Sequence, residues 1–150
     1  MELHLEKITY LNWHDVEDLC VNEEQRDYVA DNVSSLALAG VIREAGFHVF
    51  SFGVYLGEEP IGFAMIGYDI PLDTDDDVNE KYWFTRSSYF IWRFMIDERW
   101  QGKGYGKEAL RLLIDFIRSE DHQDQDDRSR SSERADGCCR LYRNAGIILG

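Results

Sequence analysis

The chain has 150 residues, 44% hydrophobic and 30% charged, which is the size and balance of one globular domain able to bury a single core. Its formal net charge of −13 disfavours nucleic acid as a partner; it favours a cationic small molecule by long-range attraction, or serves solubility alone. The apolar runs are too short to span a bilayer and the start Met1-Glu2-Leu3-His4 is too polar for a secretory signal, so no membrane partner is expected. Cys20, Cys138 and Cys139 lack metal-ligand spacing, and an odd count with two adjacent members fits a reducing cytoplasm.

Taken in chain order, the alternation of Leu3, Leu5, Ile8 and Tyr10 predicts a first strand. Asn12 or Asp15 then caps a short helix carrying Val16, Leu19 and Cys20, and a polar stretch follows over residues 22–27. Asn32 or Ser34 caps a second helix with Leu36, Ala37, Ala39, Val41 and Ile42, which Gly46 ends. Residues 48–55 and 60–68 read as two strands joined in a hairpin at Leu56-Gly57-Glu58-Glu59. The loop 69–80 is acidic. Its Asp73, Asp75 and Asp77 have the spacing of a calcium loop, but Val78 and Phe84 stand where Gly and Glu are needed, so no metal is expected. Residues 87–96 are aromatic and β-branched around Arg93, the composition of a central strand covered on both faces. Residues 106–118 have helical spacing, with Ala109, Leu110, Leu113, Phe116 and Ile117 on one stripe.

The informative unit is strand, loop and helix over 88–118. In Gln101-Gly102-Lys103-Gly104-Tyr105-Gly106 three glycines alternate with Lys103 and Tyr105 just before an amphipathic helix. Such glycines let backbone N–H groups approach an anion, the helix N-terminus adds a favourable dipole, and Lys103 and Lys107 add point charges. A nucleotide-binding Walker loop is excluded, because no Gly-Lys-Ser/Thr stands at its spacing. A dinucleotide fingerprint is excluded as well, since no second strand follows to carry its acidic residue.

The run Met95 to Gly106 resembles motif A of the GNAT (Gcn5-related N-acetyltransferase) superfamily, with its Gln/Arg-x-x-Gly-x-Gly/Ala pattern. Residues 28–37 (Tyr-Val-Ala-Asp-Asn-Val-Ser-Ser-Leu-Ala), 61–65 (Ile-Gly-Phe-Ala-Met), 91–98 (Ile-Trp-Arg-Phe-Met-Ile-Asp-Glu) and 140–146 (Arg-Leu-Tyr-Arg-Asn-Ala-Gly) resemble the bacterial spermine/spermidine (diamine) acetyltransferase branch. Five ordered segments are far more specific than motif A alone.

The resemblance implies an α/β (α+β) GNAT fold, a mixed and mostly antiparallel central sheet flanked by helices. It also implies acetyl-CoA as cosubstrate and a primary amine, a polyamine such as spermidine or spermine, as acceptor; another amine, an aminoglycoside or a protein N-terminus, is the alternative. In this family the fourth strand splays from the fifth, and the unpaired groups bond the pantetheine arm. By that likeness Phe94, Met95 and Ile96 line the arm, and the Ile96 or a neighbouring N–H polarises the acetyl carbonyl. Gln101, Gly102, Lys103, Gly104, Tyr105, Gly106 and Lys107 hold the pyrophosphate. Tyr142 matches the tyrosine that protonates the leaving thiol. A base or a water chain must take a proton from the ammonium; Glu23, Glu24 and Asp69 are the candidates for a base, Glu24 foremost, the alternative being that these carboxylates only attract a polycation or have no role. Some polyamine enzymes carry an acidic residue where this chain has Trp92, so that base is not carried over. Family members often dimerise, so the resemblance leaves a homodimer open, while no residue of the sequence marks an interface.

Residues 121–139 break the pattern. The family has a strand here, yet the stretch is almost devoid of apolar residues and reads as disordered. Read one base forward, the codons for Asp121 to Asp127 become Ile/Thr, Ile/Thr, Lys/Arg, Ile/Thr, Lys/Arg, Met/Thr and Ile/Thr, a strand composition. A pair of compensating frame errors bracketing the segment accounts for this; a genuine acidic, Ser/Arg-rich insertion is the alternative. The C-terminal part of the fold is therefore expected to be disrupted or truncated. An inactive CoA-binding module becomes the rival to an active enzyme.

Overall fold

Alternation and burial set the order of the elements in the structure, a computed structural model that describes residues 1–71 and 85–127, the last seven by backbone alone. Strands β1 (Leu3–Lys7), β2 (His48–Leu56), β3 (Glu59–Tyr68) and β4 (Tyr89–Ile96) form one antiparallel sheet in the order β1-β2-β3-β4. Helices α1 (His14–Glu17) and α2 (Asn32–Glu44) lie between β1 and β2 in the chain, and α3 (Tyr105–Asp127) follows β4. Two single turns of 3-10 helix, η1 (Glu23–Gln25) and η2 (Glu98–Trp100), sit in the connections. The α/β fold class read from the sequence is thus the one observed, and Tyr142 and the Asp73–Asp77 loop lie outside the described residues.

Each face of the sheet has its own apolar layer. Phe52, Val54, Ile66, Phe94 and Ile96 pack with Ala109, Leu110, Leu113 and Ile117 of α3. Val49, Phe63, Met65, Phe90 and Met95 pack with Val16, Leu19 and Ala39 on the α1 and α2 side. Full burial of side chains such as Phe63 and Leu113 contributes about 1.5–3 kcal/mol each. On α2 the inward stripe is Asn32, Ser35 and Ala39, with Leu36, Leu38 and Ile42 partly buried, whereas Val41, expected inside, is 63% exposed.

The caps correct two expectations. The α2 cap is Asp31, one residue before the expected Asn32: its side chain accepts from the Ser34 amide at 2.8 Å and the Ser34 hydroxyl at 2.7 Å. These bonds also hold the Asp31 carboxyl below its ordinary value, the Ser34 amide contributing most. No side chain caps α1; Asn12 instead accepts from the Thr9 amide and donates to Lys7 O. The hairpin turns tightly through Gly57-Glu58, with Gly57 at φ 63° in the left-handed region such a turn requires.

Helix α3 runs on to Asp127, nine residues past its expected end at Arg118, so the first part of the anomalous segment is helical backbone. No Gly or Pro stands between Glu108 and Arg134 to end it, and polar residues of moderate helix propensity continue the turn. Residues 128–139 lie outside the described residues.

Strand β4 carries the feature that matters for the site. Met65 pairs with Arg93 but the next residue, Ile66, pairs with Ile91, so Trp92 is an extra residue, a β-bulge. The bulge reverses the parity of the strand. Phe90 and Trp92 face α2, while Phe94 and Ile96 face α3. Both faces of β4 are covered, as its composition predicts. Among the described residues its outer edge pairs with no strand.

At the far end of β4 the strands approach closely, because a Cβ on Gly62 would lie 2.6 Å from the Met95 carbonyl oxygen and 2.9 Å from Ile96 Cδ1. Gly62→Ala is expected to cost about 1–3 kcal/mol of stability in denaturant unfolding, as over-packing does. An unchanged midpoint would show that β3 and β4 separate there at no cost.

Candidate functional site

The site is built at the C-terminal end of β4, where strand, loop and helix meet. The Asp97 N–H donates to Ile61 O at 2.8 Å, so Asp97 is bonded inward to β3. Backbone groups alternate along an antiparallel strand, and Ile96 therefore turns its N–H and C=O outward to the open edge. The Ile96 carbonyl accepts Gln101 Nε2 at 2.8 Å. Its N–H has no acceptor among the described residues. Phe94, Met95 and Ile96 are themselves buried, so any contact their edge makes with a ligand is made by backbone and their side chains pack the core.

Asp97 is only 1% exposed and joins two distant stretches of chain. Its carboxylate accepts from the Cys20 amide at 3.1 Å, the Arg99 amide at 3.1 Å and Arg99 Nε at 2.7 Å. The Glu98 amide donates back to Cys20 O at 2.9 Å. Burial pushes the Asp97 carboxyl up, but the hydrogen bonds from the Arg99 side chain and the Arg99 and Cys20 amides, with the Arg99 charge, outweigh it and hold the group below its ordinary value. The residue emerges only in the structure; its signal in the sequence is an Asp directly after an apolar strand, which is common.

The glycine loop opens the N-terminus of α3. Gly102 and Gly104 have φ of 73° and 86°, and a Cβ on either would meet nothing within 4 Å. The conformation demands glycine, while the space beside it is free. Helix bonding begins with Glu108 N–H to Gly104 O, so the amides of Tyr105, Gly106 and Lys107 lack acceptors within the helix. Gly106 is buried in the first turn, and Tyr105 packs its ring 6.1 Å from that of Trp100. Lys103 lies over the Trp100 ring at 4.7 Å and donates to Arg99 O at 3.2 Å. Lys107 is exposed. This cradle of free amides, flanked by cations and open where side chains would crowd, fits a diphosphate.

Gln101 departs from the expected role. Its side chain turns away from the open face of the loop toward Ile96 O, Gln25 Oε1 at 2.9 Å and Asn22 Nδ2 at 3.3 Å. The structure thereby brings η1, which carries Glu23 and Glu24, to the end of β4, with both carboxylates exposed. Asp69 is at the other end of the sheet, since Tyr68 pairs with Tyr89 and Gly62 with Ile96. Its carboxylate accepts the Ser87 amide at 2.7 Å and pairs with Arg86 at 3.4 Å. Beside η1 a cleft of about 410 Å³ opens between Leu19, Cys20, Val21, Asn32 and Met95, within the range of small-ligand sites. Asn32 is buried and donates to Val16 O at 2.8 Å, which fixes the floor of the cleft.

The described residues thus form a four-stranded antiparallel sheet with a bulged last strand, an outer edge that pairs with no described strand, and a glycine loop that opens the following helix. The Acetyltransferase (GNAT) family model matches residues 9–125, and the chain belongs to that family. It is similar to the spermine/spermidine N(1)-acetyltransferase of Bacillus subtilis (strain 168), at 32% identity over 117 residues, 78% of this chain and 69% of that protein. A solved structure described as a GNAT-family acetyltransferase, from Desulfovibrio desulfuricans, shares the fold with a TM-score of 0.52 at 11% identity, over 79% of this chain and 68% of that one. The chain is an acetyl-CoA-dependent N-acetyltransferase. Among the described residues no group of side chains could hold a metal ion, and no helix is long and apolar enough to cross a membrane.

Two predictions follow from this geometry. Asp97→Asn is expected to cost about 1–3 kcal/mol, the value of hydrogen bonds to a charged group. Because the folded carboxyl titrates below the unfolded one, its contribution is present above the ordinary aspartate range near ~4 and is lost as pH falls through the folded value. Unfolding of both proteins at pH 7 and in acid tests this: the gap must narrow in acid. Separately, Gly104→Ala forces a side chain into left-handed backbone, costing about 1 kcal/mol. It also places a methyl in the cradle, so binding of coenzyme A measured by calorimetry is expected to weaken by about tenfold, or roughly 1.4 kcal/mol.

Proposed function

We propose that the chain transfers the acetyl group of acetyl-CoA to a primary amine of a polyamine such as spermidine or spermine. The observation that carries the acceptor class is the likeness, along 117 residues, to a protein that bears the name spermine/spermidine N(1)-acetyltransferase. The net charge of −13 supports it, since such a field concentrates a polycation near the surface.

Acetyl-CoA supplies an activated thioester. In this reading the amides and lysines of Gly102 to Lys107 bind its diphosphate, and the outer edge of β4 at Phe94, Met95 and Ile96 aligns the rest of the chain. The Ile96 N–H is the donor for the oxyanion that forms as the amine attacks the acetyl carbon. Glu24 accepts the proton that the ammonium must lose first, and Tyr142 protonates the departing thiolate. The cleft beside η1 receives the amine.

A thiol-release assay with acetyl-CoA and spermidine tests the reading. Free thiol is expected to appear only when both substrates are present. Turnover confined to an aminoglycoside or a peptide N-terminus would transfer the acceptor to those classes. Binding of acetyl-CoA with no turnover of any amine would instead point to a CoA-binding module without activity.

A further inference from the structure

The Gln101 side chain closes a ring of three amides. Its Nε2 donates to Ile96 O at 2.8 Å and to Gln25 Oε1 at 2.9 Å, and its Oε1 accepts Asn22 Nδ2 at 3.3 Å. Asn22 in turn caps η1 through its own oxygen, which accepts the Gln25 amide at 3.2 Å. Both N–H groups of the Gln101 amide are thus engaged, and so is its oxygen. The residue cannot rotate without breaking a contact to β4 or to η1. It is also the first residue of the glycine loop, directly before Gly102. The segment it grips continues back to Leu19, Cys20 and Val21, which line the 410 Å³ cleft together with Met95.

We propose that Gln101 is a positioning residue that couples the two substrate sites: its side-chain amide ties the loop that binds the diphosphate to the segment Cys20–Gln25, whose first two residues, Cys20 and Val21, line the cleft. The inference rests on the reading of residues 102–107 as the cradle, and adds that occupancy of the cradle steadies η1 and the cleft. A diphosphate bonded to the loop amides restrains Gln101 through its own backbone. Gln101 then restrains Gln25 and Asn22, and with them η1, which carries Glu24 and joins the cleft residue Val21 to the cleft residue Arg26. Coupling of this kind is reciprocal, so an amine in the cleft tightens coenzyme A by the same factor.

The test reads the wall itself and needs no amine. Backbone hydrogen exchange across Cys20–Asp27 is compared with and without saturating coenzyme A in the native chain, Gln25→Leu and Gln25→Glu. Leu keeps the volume of Gln25 and removes the acceptor, whereas Glu keeps an acceptor oxygen for Gln101 Nε2. Coenzyme A is expected to slow exchange by about fivefold or more in the native chain and in Gln25→Glu, and by less than about twofold in Gln25→Leu. Equal slowing in Gln25→Leu, or no restoration by Gln25→Glu, overturns the proposal while leaving the cradle intact. So does a native chain that binds coenzyme A without slowing. A native chain that fails to bind coenzyme A at all overturns the cradle and the coupling together.

Discussion

One buried carboxylate holds the working end of this molecule together. Asp97 ends the sheet, and it accepts N–H groups from Arg99 ahead of it and from Cys20, 77 residues before it in the chain. A charge so deeply buried is tolerable only with several donors in place. With Glu98 bonded back to Cys20, the end of β4 and the segment after α1 move as one piece. The position of η1, of the cleft and of the glycine loop all follow from that junction.

The bulge at Trp92 does the complementary work inside β4. Without it, Phe94 and Ile96 would share a face with Phe90 and Trp92, and Arg93 and Met95 would take their places against α3. The extra residue reverses the faces, so Phe94 and Ile96 seal the core against α3. The register after the bulge also decides which backbone groups face outward. The open edge at Ile96 is therefore a product of one inserted residue upstream, not of the side chains that surround it.

This division explains how much was legible. Hydrophobic period locates the strands, read as 48–55 and 60–68 and observed at His48–Leu56 and Glu59–Tyr68, and the stripe on α3, because burial writes itself into spacing. The glycine loop was legible for a related reason: left-handed φ at Gly102 and Gly104 leaves few residue choices. Bonds between distant segments leave no such period. Asp97 with Cys20 and Gln101 with Gln25 are ordinary polar residues until the chain is folded, and the expected phosphate role for Gln101 followed from its place in a motif. Caps fell between these cases, since Asp31, Asn32 and Ser34 all suit an N-cap and only geometry selects Asp31. The end of α3 lies beyond Arg118 because charge and polarity do not by themselves stop a helix: once nucleated and packed, it continues through such residues at little cost.

In the proposed reaction the charge of the chain acts oppositely on the two substrates. A net −13 attracts a polyamine from a distance and repels an anionic diphosphate by the same field. Long-range repulsion is damped over about 8–10 Å at physiological salt, so the contest over the diphosphate is settled by what stands within that distance. There the fold provides unbonded amides at the start of a long helix, with Lys103 and Lys107 beside them. Amides carry no net charge and thus do not neutralise the field that draws the amine. A loop that relied on lysines alone would bind the diphosphate equally well, but it would weaken that field at the mouth of the site. In the proposed reaction, binding the anion mostly by backbone would let one acidic protein hold both partners, which would make the glycines, more than the cations, the defining residues of the loop.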